Sequence, residues 1–183
     1  MVLSFSTSTT AQTQPFYDDF NFTWTYLRIF SPGDLPLPAS MNGVVNPRIE
    51  AIYSPSVVKF QGKYLMFFGL SLYCNPNNGP DVARDTVALA ESNDGVTWQF
   101  KKYIIEPDAR TCTLPRNQWG VFTYQVHDPS VYIDPTNPNQ LLVFYTTVIS
   151  NNDNFGHIGL SKIDANQTVV FRNDTFMQGT TIL

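Results

Sequence analysis

Charge is scarce in this sequence. Asp, Glu, Lys and Arg together make up 14% of 183 residues, and the net charge is −4. That balance argues against nucleic acid and anionic membrane surfaces as partners, because both need clustered cations. Cysteine is nearly absent, with Cys74 and Cys112 alone, and so is histidine, with His127 and His157 alone. Two cysteines cannot fill a four-ligand zinc site without help. No apolar run approaches the roughly 20 residues that cross a bilayer. A glycine-rich phosphate loop and a Gly-x-Ser-x-Gly elbow are both missing. Neither a cofactor nor a metal ion is therefore expected. A convincing helical period is missing as well.

The N-terminus, "MVLSFSTSTTAQTQPF", has no basic leader and only a short apolar stretch. Residues 1–20 read as a polar tail or as the remnant of a signal peptide. Three sequons, at Asn21, Asn166 and Asn173, would accept glycans after secretion. Extracellular placement is the expectation. There Cys74 and Cys112 could pair; in a reducing compartment they would be free thiols.

What the chain does have is aromatics, 14%, within an apolar content of 43%. Rich in Phe, Tyr, Thr, Asn and Pro, it points to strands joined by turns. From Ala51 the pattern becomes regular. "SPSVVKF" reads as a strand, "QGK" as a turn and "YLMFFGLS" as a strand buried on both faces. A loop, "LYCNPNNGPDVARD", leads to "TVALAES", the turn "NDG" and "VTWQFKKYII". The unit then repeats 74 positions later. "DPSVYID" matches "SPSVVKF", "LLVFYTTVI" matches "YLMFFGLS", "HIGLSKID" matches "TVALAES", and "TVVFRND" closes the copy. Each copy is a four-stranded antiparallel meander, at about residues 51–105 and 127–175. Repetition of such units predicts an all-β chain, a β-propeller of four-stranded antiparallel blades, over residues 21–183. A β-sandwich also has short strands and frequent turns, but the match in strand order and turn position favours blades. Two blades are fewer than the four to eight of a closed ring. The domain is thus read as a partial propeller, with an open edge available for self-association.

The stretches "YSPSVVKFQGKYLMFFG", "VALAESNDGVTWQF" and "VHDPSVYIDPTNPNQLLVFYTT" resemble the five-bladed β-propeller glycoside hydrolases. These include glycoside hydrolase family 43, the invertase-like enzymes and the mannoside phosphorylases. The resemblance covers about residues 46–175 and includes the Ser-x-Asp-Gly-x-Thr-Trp turn at Ser92–Trp98. It implies five-bladed architecture, a carbohydrate substrate or ligand, and hydrolysis of O-glycosyl bonds by two carboxyl groups. Their separation, about 5 Å or about 6.5–9.5 Å, decides retention or inversion. It further implies that Asp128, in the Asp-Pro start of a blade, is a funnel carboxylate. Ser54 departs from that pattern at the matching place in the first copy. A non-catalytic glycan-binding module, and a truncated gene product without activity, are the alternatives.

Asp128 is accordingly the candidate catalytic residue, although an Asp before Pro129 also suits a turn. His127 is a candidate for substrate contact. Strand alternation would put it on the face opposite Asp128, unless the strand is distorted. Trp119 and Tyr124 could stack on the C–H faces of a sugar or pack in a core. Tyr53 is a further candidate substrate contact. Arg84, with Asp81 and Asp85 in a predicted rim loop, could grip a hydroxyl or carboxylate, or form a solvated ion pair. Asp94 is expected to hold its turn rather than do chemistry, much as the Asp-box does in sialidase-like propellers.

Overall fold

A computed structural model describes residues 2–4, 25–27, 30–41, 47–74, 82–108, 112, 123–149 and 156–177. Two short strands, β1 (Val2–Ser4) and β2 (Thr25–Leu27), pair antiparallel. The segment read as a tail thus contributes a strand at its start. Two four-stranded sheets follow. The first is β3 (Arg48–Phe60), β4 (Lys63–Cys74), β5 (Val82–Ser92) and β6 (Gln99–Ile105), hydrogen-bonded in chain order. The second is β7 (Thr123–Ile133), β8 (Gln140–Ile149), β9 (Gly156–Asp164) and β10 (Val169–Met177), also in chain order. Both are antiparallel meanders, which is the blade unit of a β-propeller, and the two do not close a ring.

Local chemistry sets the turns. Gln61 and Gly62 both have positive φ, 49° and 83°. That is the two-residue loop whose twist suits a hairpin. Asp94 Oδ1 accepts the amides of Val96 and Thr97 at 2.8 and 2.7 Å, and the Ser92 hydroxyl at 2.9 Å. These bonds, the two backbone amides first, hold its carboxyl well below the usual range. Trp98 Nε1 donates back to the Gly95 carbonyl at 3.1 Å, so the turn is closed at both ends. In the second sheet Asp134 plays a similar part. It accepts from Thr136 and from Lys162 Nζ at 3.1 Å, and its carboxyl falls to about 2.

The sheets pack face to face. Phe60, Leu65, Phe67, Val87, Leu89 and Ile105 of the first meet Val126, Val131, Leu141, Val143, Tyr145 and Ile163 of the second. Each such side chain contributes about 1.5–3 kcal/mol on burial, so this seam is the main adhesive. The other face of the first sheet is also covered. Leu35 and Met41, from residues 30–41, are buried against it, and Phe30 stacks on Phe68 with ring centres 5.8 Å apart. This explains the unbroken apolar run of β4, which is buried at every position from Leu65 to Leu70. β8 differs, with burial alternating along its length. Its Leu141, Val143 and Tyr145 face the seam, while Phe144 lies with Tyr132 and Phe176 on a half-open apolar face. Cys74 and Cys112, separated by 38 in sequence, form a disulfide buried beside Met41 and Leu72.

Candidate functional site

Strands β3 and β7 break register at matching places. The shift lies between Tyr53 and Ser56 in β3 and between His127 and Ser130 in β7. Inside each break one residue takes a left-handed backbone, Ser54 with φ 48° and Asp128 with φ 51°. Both precede a proline, Pro55 and Pro129. A non-glycine residue held there costs on the order of 1–3 kcal/mol, and such strain concentrates where a side chain must be aimed. The bulge does the aiming. Ser54 Oγ donates to Asp128 Oδ1 at 2.6 Å, and His127 Nδ1 lies 2.7 Å from Asp128 Oδ2. A second bond between the sheets, from the Val131 amide to Ser56 Oγ at 3.0 Å, fixes the two strands beside each other.

For His127 the strand is distorted in the way that overrides alternation. Alternation would put it opposite Asp128, but the left-handed residue rotates Asp128 out of the alternation, and the neighbours join in one hydrogen bond. Partial burial opposes ionisation of Asp128. The bonds from Ser54 and His127 outweigh it and hold the carboxyl below the usual range. Asp128 is therefore ionised near neutrality while its side chain stays 50% exposed. Because an ionised carboxylate only accepts, the imidazole Nδ1 is the donor.

Ser54 in place of a second aspartate now has a physical reason. Two carboxylates at 2.6 Å could not both ionise, whereas a serine there supplies a donor. The chain Ser54–Asp128–His127 is not an acyl-transfer triad. That chemistry needs the imidazole between hydroxyl and carboxylate, and here the carboxylate is in the middle.

Tyr53 stands next to Ser54 and lies across Gly69 of β4. A Cβ at Gly69 would fall 2.6 Å from Tyr53 Cε2, so only glycine admits the ring. Its hydroxyl meets Asp85 of β5. Burial first, then the charges of Asp85 and Asp128, push the Tyr53 phenol far up. Asp85 also takes a hydrogen bond from Ser71, its cross-strand neighbour.

Arg84 is placed differently from its expected loop. β5 begins at Val82, so Arg84 and Asp85 are strand residues pointing to opposite faces. Arg84 is 1% exposed and turned away from Asp128. It donates to Ser40 Oγ at 2.8 Å and to the Pro107 carbonyl at 3.0 Å, and pairs with Glu106 at 3.4 Å. It ties residues 30–41 to the end of the first sheet. Tyr124 lies in β7, and Trp119 and Asp81 lie outside the described residues. Among the described residues no group of three or more His, Cys, Asp or Glu could hold a metal ion. No helix there is long and apolar enough to cross a membrane.

Sequence reasoning missed Asp85 as a member of the group around Asp128. The available signal was the third copy-to-copy strand: extended upstream by four residues, it sets Asp85 level with Ser71 of β4.

No family model matches the sequence, and no curated protein matches it. Solved structures are similar to it at low identity, three of them as follows. One belongs to the family 130 mannoside phosphorylases, described as containing glycoside hydrolases that target β-1,2 mannosidic linkages in Candida mannan. It is 13% identical, with TM-score 0.45, over 67% of this chain and 31% of that one. A family 117 glycoside hydrolase from the marine bacterium Zobellia galactanivorans is 14% identical, with TM-score 0.42, over 72% and 40%. A sialidase is 13% identical, with TM-score 0.46, over 78% of this chain and 13% of its own. The chain therefore spans well under half the length of each. At these identities no residue role is carried over from them, and the functional reading rests on the chain's own side chains.

Proposed function

We propose that the bulge pair of β3 and β7 is a carbohydrate site of glycosidase type, with Asp128 as its working carboxylate. One observation carries this reading: Asp128 is strained, half-exposed and kept ionised by Ser54 and His127 at the junction of two sheets. A carboxylate so held suits a base or nucleophile in O-glycosyl hydrolysis. Ser54 and His127 would hold its two oxygens in orientation, and Tyr53, beside them, offers an apolar ring edge to a sugar. Trp119 and Tyr124 remain proposed stacking contacts. The disulfide, and Asn166 exposed in the β9–β10 turn, support an extracellular setting. The half-open face of the second sheet supports self-association.

A second reading is a glycan-binding module without turnover. It is favoured by the serine at the blade position where Asp128 has its counterpart. A panel of nitrophenyl glycosides and polysaccharides, read beside binding calorimetry, separates the two. The expected result is hydrolysis of at least one member. Binding without hydrolysis selects the module, and neither binding nor hydrolysis contradicts both.

A further inference from the structure

The two sheets contain the same three-strand device. In the first, the Tyr53 ring crosses Gly69 and its hydroxyl meets Asp85 on the next strand. In the second, the Tyr145 ring crosses Gly159, where a Cβ would fall 2.3 Å from Cε2, and its hydroxyl donates to Asp174 at 2.8 Å. Tyrosine, glycine and aspartate thus lie on three neighbouring strands in both copies.

What differs is the company of the aspartate. Asp174 is clamped by Arg172 through two bonds of 2.7 and 2.9 Å, and by the Thr123 hydroxyl at 2.7 Å. Its burial is thereby outweighed, and the carboxyl is held below the usual range. Among the described residues no cation plays Arg172's part for Asp85. The groups that face it are Tyr53 from β3, Ser71 from β4, and His127 and Asp128 from β7. Its Oδ1 is buried without a hydrogen-bond partner among the described residues. A charged carboxylate with a bare buried oxygen is costly, so this setting works against ionisation. Burial, the largest influence, does push this carboxyl up.

We propose that Asp85 is a positioning residue of the Asp128 site that acts through the Tyr53 hydroxyl. The proposal rests on the carbohydrate reading for its purpose, but its geometry stands without it. Asp85 fixes the Tyr53 hydroxyl, whose phenol also feels the charge of Asp128. The second sheet carries its own tyrosine–glycine–aspartate set one strand further along, on β8, β9 and β10, where Arg172 and Thr123 hold the aspartate.

The test reads thermal midpoints of the full chain against pH, and so needs no substrate. Asp85→Asn keeps the shape and removes the proton. A carboxyl whose folded pKa is raised gives stability that is present in acid and lost as pH rises through that pKa. The midpoint of Asp85→Asn relative to wild type is therefore expected to rise between pH 3.5 and 7.5. Asp174→Asn is the internal control with the opposite slope, because its lowered carboxyl stabilises near neutrality and fades in acid. A flat offset for Asp85→Asn, or one that falls toward neutrality as for Asp174→Asn, overturns the proposal. If Asp85→Asn does not fold, Tyr53→Phe decides. Losing the hydroxyl that favours ionised Asp85 is expected to steepen the loss of stability toward neutrality, and an unchanged pH dependence overturns the proposal. A chain that fails on every glycan yet shows these slopes refutes the glycosidase reading and leaves the assignment of Asp85 intact.

Discussion

Replacing both Cys74 and Cys112 by alanine is expected to lower the thermal midpoint by about 8–16 °C. The bond joins the end of β4 to a point beyond β6, across 38 positions. Opening a loop of that size frees the unfolded chain by about 4 kcal/mol. For a chain of this length each kcal/mol corresponds to about 2–4 °C. The effect is large against a total stability of 5–15 kcal/mol, the usual range. It should be felt locally too. Arg84, Ser40 and Glu106 meet at the same end of the first sheet, and Cys74 and Cys112 pack with Met41 there. Scanning calorimetry of the double variant, beside wild type with and without reductant, provides the check. A midpoint within 2 °C of wild type would mean that the bond braces nothing.

Gly159→Ala is expected to cost about 3 kcal/mol, or about 6–12 °C. The added Cβ would sit 2.3, 2.6 and 2.9 Å from Cε2, Cζ and Cδ2 of Tyr145. Most crowded rings can swing aside, but this one is pinned. Tyr145 is 1% exposed within the seam between the sheets, and its hydroxyl is bonded to Asp174 and Ser161. Moving it breaks a bond to a charged group worth about 1.5–3 kcal/mol or opens the seam. Urea denaturation reads the loss, with an unchanged slope if the unfolded state is unaffected. Tolerance of alanine would show that the ring is not held where it is described.

Much of the fold is legible in the sequence because its strands carry their own punctuation. "QGK" specifies a two-residue hairpin, "NDG" places Asp94 over two amides, and the 74-position repeat sets strand order. The boundaries are less legible. β3 begins at Arg48 and β5 at Val82, earlier than the apolar runs, since both pair along nearly the whole of a long β4. Strand alternation also mispredicts the one place that matters for chemistry. Nothing in period 2 announces that the residue before each proline turns left-handed, and only that turn puts Ser54, His127 and Asp128 in one group. Arg84 and Asp85 exchange roles for a related reason. Read as a loop they look equivalent, whereas on a strand one faces residues 30–41 and the other faces Tyr53 and β7.

The measurement that bears most directly on the site is turnover by Asp128→Asn, made on the glycan that wild type hydrolyses. Asparagine fills the same space, keeps an oxygen for Ser54 and cannot ionise. The thermal midpoint should stay near that of wild type, while kcat/KM falls by a factor on the order of 10²–10⁴. Turnover within a few-fold of wild type would contradict the assignment of Asp128 as the working carboxylate.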